Sequence, residues 1–346
     1  MTRFFTTNFT NMSLNLKQVN MITKINEQKG KIAIYYKLYP HIFEKLKQAT
    51  RVQYIKKNIN KNISAKRLQQ LVLQESFPQT MLEDEICCYN DVFNLIHNNY
   101  TDIKLCKDFI SEINFQLFKY QSSDSGQWRK QDLIIPDIPI LKFFLNYYQL
   151  SSYTDIDASL YTLCDEYNKL KEENSLEAIC LICNFILTIA SINPFDAGNM
   201  KVVRMLLHFL LLKEGHIFVK YICLDTFIQN NEMTYFNSAY KSIANLCDGH
   251  NDITFCLEIL LKVISEAYHE LLNFIELSTL KINKVERIIN SIECKKGMFT
   301  KAEIRKEHPD VGEYTIQRAF HLLQDKKQIK LICNGRNAIW QNSLHN

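Results

Sequence analysis

The sequence predicts a mostly α-helical protein that ends in a small helix-and-hairpin module. Three observations carry that prediction. Apolar residues make up 47% of the chain while Gly and Pro number only 8 and 6 in 346 residues, a composition suited to packed helices. Apolar side chains recur at spacings of three and four through most of the length, the period of one helical face. From Lys284 the helical segments shorten, and Asn334-Gly335 separates two short apolar runs as in a β-hairpin. The length predicts two domains or three.

Residues 1 to about 30 are polar, rich in Asn and Thr and weakly patterned, and predict a loosely held arm or an edge element. Between Lys31 and Gln53, Ile34, Tyr35, Leu38, Ile42, Phe43 and Leu46 keep helical spacing, interrupted near Pro40. The basic run Lys56-Lys57-Asn58-Ile59-Asn60-Lys61-Asn62 reads as a solvated linker, with nucleic-acid contact as the alternative. Lys66 to Gln74 predicts a helix closed by Phe77-Pro78, and Thr80-Met81-Leu82-Glu83 has the form of a capping box opening the next. Cys88 to His97 and Leu105 to Phe118 are helical, and Ser122 to Arg129 is a turn-rich break. Pro136 and Pro139 lie in extended sequence. Asp157 to Glu173 predicts a charged amphipathic helix, Glu177 to Ala190 a strongly apolar one, and Ile253 to Phe274 a long one. Cys180 and Cys183 form a lone C-x-x-C among core-like neighbours and read as buried thiols rather than half of a zinc site.

The chain is organised around Asn193-Pro194-Phe195-Asp196-Ala197-Gly198-Asn199-Met200-Lys201-Val202-Val203-Arg204. Pro194 ends the apolar helix before it, and Gly198 permits a tight left-handed turn. Val202, Val203, Leu206, Leu207, Phe209 and Leu210 then mark a buried helix, whose N-terminal N–H groups and dipole favour an anion. This stretch resembles the signature loop of the Fic (Fido) family, His-Pro-Phe-x-Asp/Glu-Gly-Asn-Gly-Arg-x-x-Arg. Members of that family usually transfer AMP or another phosphate-containing group from a nucleotide to a protein hydroxyl. Pro194 and Phe195 match as loop anchors, and Gly198, Asn199 and Arg204 match at nucleotide-phosphate positions. Lys201 keeps the charge of the first arginine without its planar fork.

The departures fall on the chemistry. Asn193 stands where the family has its general base, and an amide takes no proton near neutral pH. Ala197 stands where the family holds Mg²⁺, so a metal is not expected, with Asp196 the candidate substitute ligand and His208 the candidate substitute base. Met200 replaces a glycine of the phosphate cradle. Leu71-Val72-Leu73-Gln74-Glu75-Ser76 is the counterpart of the family's inhibitory helix, with Glu75 at the glutamate position. The alternative for Glu75 is a surface residue at a helix end. Trp128-Arg129 resembles the family element leading into a β-hairpin flap, and Cys88 to His97 and the segment 224–240 resemble further family elements.

Phe299 to Ile304, with Thr300 as cap, and Tyr314 to Leu323, with Ile316, Ala319, Phe320 and Leu323 facing in, follow a helix marked by Val285, Ile288, Ile289 and Ile292. Ile329 to Ile332 and Ala338 to Trp340 complete a hairpin. Three short helices plus a hairpin resemble a winged helix-turn-helix, which some Fic proteins carry. In such a module Thr315, Gln317, Arg318 and His321 face a DNA groove and Arg336 lies on the wing, with Arg318 the base reader and Arg336 a phosphate contact. The alternative is a dimerisation or protein-docking role. Net charge is +4; residues 278–346 hold thirteen Lys and Arg against seven Asp and Glu, a net +6, leaving −2 for the rest.

The resemblance thus implies an N-terminal helical arm and basic linker (1–67), a Fic-like domain with a small hairpin flap (68–277) and a winged helix-turn-helix (278–346). The implied function is that of a degenerate Fic-domain protein, weak or inactive in AMP transfer, responsive to ATP or another nucleotide or phosphate, with DNA or a protein as partner, a second copy included. The rivals are a divergent active protein adenylyltransferase and an interaction protein without ligand. Eleven cysteines, odd in number and irregularly spaced, with no signal-peptide pattern and no apolar run long enough for a bilayer, predict a cytoplasmic protein with reduced thiols.

Overall fold

The structure, a computed structural model, describes residues 13–59, 63–132, 152–174, 176–244, 253–280, 283–293, 295, 297–335 and 338–343. The expected flap, with Pro136 and Pro139, lies outside the described residues, as does Arg336. Backbone proximity divides the chain into two compact units. One holds residues up to Ile25 together with Gln48–Ala267, the other Asn26–Lys47 with Tyr268–Asn346.

The polar N-terminal stretch corrects the sequence expectation, because from Leu16 it is helix. Helix α1 (Leu16–Leu38) opens on a reciprocal cap: Gln18 N donates to Asn15 Oδ1 at 2.9 Å and Asn15 N to Gln18 Oε1 at 3.1 Å. Its Ile22, Ile25 and Ile32 are buried, so a narrow apolar stripe anchors an otherwise polar helix. Pro40 occupies the first position of α2 (Pro40–Asn58), where a missing N–H costs nothing. Lys56 and Lys57, expected in a linker, are exposed residues of its last turn, and 60–62 lie outside the described residues.

In the larger unit α3 (Ala65–Val72) packs on α4 (Met81–Asn99), which Thr80 caps by accepting from Glu83 N. Helix α5 (Lys107–Phe118) lies against α4, and α6 (Ile156–Glu173) against α5. At the centre are α7 (Ala178–Ile192) and α8 (Asn199–Lys213), packed on each other. Their apolar residues cover most of the circumference, which suits buried helices. Cys180 and Cys183 are buried free thiols of α7, and burial pushes Cys180 up to about 12. Beyond them come α9 (Leu224–Asn230), α10 (Glu232–Ala244) and the first half of α11 (Thr254–Leu280), whose residues from Tyr268 onward belong to the smaller unit.

In the smaller unit α12 (Lys284–Glu293), β1 (Met298–Thr300), α13 (Lys301–Glu307), α14 (Glu313–Asp325), β2 (Ile329–Cys333) and β3 (Ile339–Asn342) follow in order. The antiparallel sheet runs β1-β3-β2. Strand β1 is an addition to the expected hairpin, too short to show a period of its own. Ile288, Ile292, Phe299, Ile316, Phe320 and Trp340 share one core. A complete capping box opens α13: Thr300 accepts from Glu303 N and the Glu303 carboxylate accepts from Thr300 N. Thr300→Ala is expected to lower stability by about 1 kcal/mol, read from denaturant unfolding, whereas Thr300→Ser keeps most of it.

Candidate functional site

Helix α7 ends where the chain turns left-handed at Asn193 (φ +49°), a conformation Asn tolerates better than most residues. The turn is held from α5 and from the 122–132 loop. Arg129, wholly buried, donates from Nε to the Asn193 carbonyl at 3.1 Å and from Nη1 to the Gln131 carbonyl at 3.0 Å. Its backbone N–H donates to the Pro194 carbonyl at 2.9 Å. Phe195 is buried, with its ring 5.1 Å from that of Trp128. Asn199 closes the loop on itself: Oδ1 accepts from Phe195 N and Nδ2 donates to the Phe195 carbonyl. Asn114 of α5 donates to the Ala197 carbonyl and accepts from Gly126 N, tying loop to loop.

Gly198 caps α8 at φ +78°, and a Cβ there would lie 2.2 Å from the Phe118 ring. Glycine is required twice over, by backbone conformation and by close approach. The N–H groups of Gly198, Asn199 and Met200 donate to no described residue, so the positive end of α8 is left open. Asp196, Ala197 and Met200 are exposed, and Asn193 is half-buried.

The two cations in the N-terminal half of α8 are already paired. Lys201 Nζ donates to Glu85 Oε1 of α4 at 2.8 Å and lies over the Tyr89 and Phe118 rings. Arg204 Nη1 donates to Asn58 Oδ1 at 2.9 Å and stands 3.9 Å from Asp225 Oδ2, while Asn58 Nδ2 donates to that carboxylate at 2.6 Å. Burial pushes the Asp225 carboxyl up, and Arg204, Asn58 and Lys57 pull it back. Beside Arg204 a shallow cleft, open to solvent, has Met200, Val203, Leu207 and Ile228 as apolar walls. Gln229, Glu232 and Tyr235 supply its polar edge.

The loop thus gathers Asn193, Pro194, Phe195, Gly198, Asn199, Lys201 and Arg204. Asn199 and the cations are engaged with protein groups rather than standing free. Glu75 lies exposed on the turn after α3, and the carboxylates paired with α8 are Glu85 and Asp225. His208 faces the core, 2.8 Å from His97 Nε2 and packed against Tyr54 and Phe93. Burial pushes it down to about 3, so it stays uncharged. Thr315, Gln317, Arg318 and His321 lie on α14, Thr315 half-buried and the other three exposed. Sequence reasoning missed Asn58, Glu85, Asn114 and Asp225. Asp225 alone carried a signal, as a lone carboxylate between Leu224 and Phe227.

Residues 104–211, which include the loop and most of α8, match the model of the Fic/DOC family. A Fic family protein from Desulfovibrio desulfuricans has a similar structure at TM-score 0.58 and 13% identity, covering 96% of this chain and 97% of that one. A Fic domain containing signaling protein from Bacteroides thetaiotaomicron matches at TM-score 0.56 and 14% identity, covering 73% of this chain and 98% of its own. Identities this low establish the shared fold alone. No curated protein matches the chain.

The clamp makes a measurable prediction. Arg129→Ala leaves the part-buried Asn193 and Gln131 carbonyls without this donor and opens a gap at a buried side chain, which should cost about 2 kcal/mol of unfolding free energy, and Arg129→Lys should restore little because it lacks the fork. Full stability of Arg129→Ala in thermal unfolding would contradict the clamp.

Proposed function

We propose that this chain, which carries a Fic/DOC-family domain at residues 104–211, is a degenerate member of that family: weak or inactive in AMP transfer, and acting as a nucleotide- or phosphate-responsive regulatory protein. The observation that carries the reading is the state of position 193. Its side chain is an amide, its backbone is pinned by Arg129, and neither substitute base or ligand considered from sequence improves on it. His208 is in the core, and Asp196 is a single exposed carboxylate at the loop tip. A hard cation needs several oxygen ligands, and Ala197 offers none. These residues do not fit a protein-held Mg²⁺.

A phosphate fits better. The open N–H groups of Gly198, Asn199 and Met200 sit at the positive end of α8, and the buried Tyr89 hydroxyl has no hydrogen-bond partner among the described residues. The cleft bordered by Tyr235 and Gln229 offers an apolar wall and amide and hydroxyl groups to a planar base. The terminal unit would then be the output. The exposed positions of α14, Arg318 above all, suit a duplex or a protein partner in the manner of a winged helix-turn-helix.

Incubation with α-labelled ATP and Mg²⁺ tests the first claim. Labelling of the protein or of a lysate should stay at background, since losing a positioned base alone costs roughly 10²–10⁴ in rate. Robust Mg²⁺-dependent labelling that Arg204→Ala abolishes would overturn it. For the output, mobility-shift titration should show duplex DNA binding that falls steeply with salt and weakens roughly tenfold in Arg318→Ala. Absence of binding to any duplex at low salt removes the DNA assignment.

A further inference from the structure

The charge state of the cleft points past nucleotide binding in general to a class of ligand. Two cations border the N-terminal half of α8, and each has a carboxylate of its own. Lys201 has Glu85 at 2.8 Å, and Arg204 has Asp225, reached directly at 3.9 Å and through Asn58. Asp225 is the more deeply placed of the carboxylates, its side chain only 5% exposed. A carboxylate at that depth is costly unless a cation or donor answers it, so Arg204 and Asn58 are bound to it rather than lent to a ligand. Glu232 adds a further negative charge at the mouth of the cleft. The lining therefore offers an apolar wall, an aromatic ring and amide groups, with no surplus positive charge. A polyphosphate wants the reverse.

We propose that Asp225, with Asn58 as bridge, is the built-in counter-ion of Arg204 and sets the specificity of the cleft for nucleoside-like ligands bearing no more than one phosphate, against nucleoside triphosphates. The ligand class rests on the nucleotide reading above; the counter-ion role does not. Asp225 is a specificity residue acting through Arg204, and Asn58 is a positioning residue. Asn58 accepts from the guanidinium on one side and donates to the carboxylate on the other, so it links the two. The other titratable groups acting on Asp225 are Lys57 on α2, Tyr54 on α2, Tyr89 on α4 and Cys223 in its own segment. Of these only Lys57 is cationic, and it is exposed to solvent.

Calorimetric titration of the full chain with adenosine, AMP and ATP, and with the three guanine counterparts, tests the ligand class. The wild type should bind the nucleoside or monophosphate at least as tightly as the triphosphate. Asp225→Asn, which keeps shape and frees the guanidinium, should shift the triphosphate-to-nucleoside affinity ratio toward the triphosphate by roughly tenfold. A wild type that prefers the triphosphate by tenfold or more, or a ratio unmoved in Asp225→Asn, overturns the specificity claim. Failure of all six probes to bind sinks the nucleotide reading and the ligand class together.

The counter-ion role is tested without ligand, by melting curves from pH 5 to 8. Arg204→Ala removes the attraction that holds the Asp225 carboxyl down and leaves burial to raise it further. A raised folded value means that stability is lost as pH climbs through it and is regained below the ordinary carboxylate range. Arg204→Ala should therefore lose more in melting temperature at pH 8 than at pH 5, and Arg204→Ala/Asp225→Asn should recover most of that pH-dependent loss. Equal pH profiles for the single and double variants overturn the counter-ion role, whatever the nucleotides do.

Discussion

The signature loop depends on a guanidinium with no water to turn to. Arg129 is buried to the end of its side chain, and a buried charge is tolerated where acceptors surround it. Its acceptors are main-chain carbonyls at the end of α7 and in its own loop, with the Asp132 carboxylate at 3.3 Å. Satisfying them fixes the direction in which the chain leaves α7, and hence where Phe195 inserts and where α8 begins. Asn114 and Asn199 repeat the device at the loop's far side. The clamps share one property. They grip the backbone of Asn193, Pro194, Phe195 and Ala197, and none of them uses the side chains at 193 or 197. The loop can therefore keep its shape while those two positions change chemistry, which is the combination this sequence displays.

That independence also explains what sequence made legible. The central helices α7 and α8 announce themselves by apolar density, and α14 by its four inward positions, each of which is buried. The hairpin follows from Asn334-Gly335, and Gly198 from the need for a left-handed turn. These features are local, fixed by a residue's own backbone or by its neighbours three and four away. Helix α1 was hidden for a related reason. Its cap, Asn15 with Gln18, sits in a polar run whose composition resembles a loose arm, and only Ile22, Ile25 and Ile32 betray a buried face.

Pairings across long stretches of chain left no such trace. Glu85 meets Lys201 from 116 residues away, and Asn58 meets Arg204 from 146. No period links such positions, so a motif match placed the relevant carboxylate at Glu75, on an exposed turn, while packing of α4 brings Glu85 to α8. Asp225 is a carboxylate among apolar residues, a signal of burial, yet its sequence neighbours do not name its partner. That identification needs the packing of α9 and the end of α2 around the signature helix.

The two ion pairs are unequal in how readily they yield, and the difference follows from bond number rather than from charge. Lys201 makes a point contact on a flexible stem, and its side chain is 28% exposed, so water can take over from Glu85 as the ammonium swings away. Arg204 is locked by a bridge with both ends in use. Moving it strands Asn58 Oδ1 and leaves a deeply buried carboxylate with a single amide donor. An anion bound at the open end of α8, as proposed, would therefore draw on Lys201 more readily than on Arg204. Of the two, the lysine is the cation free to leave its partner, while the arginine, matched to the family pattern though it is, serves the packing of α2, α8 and α9.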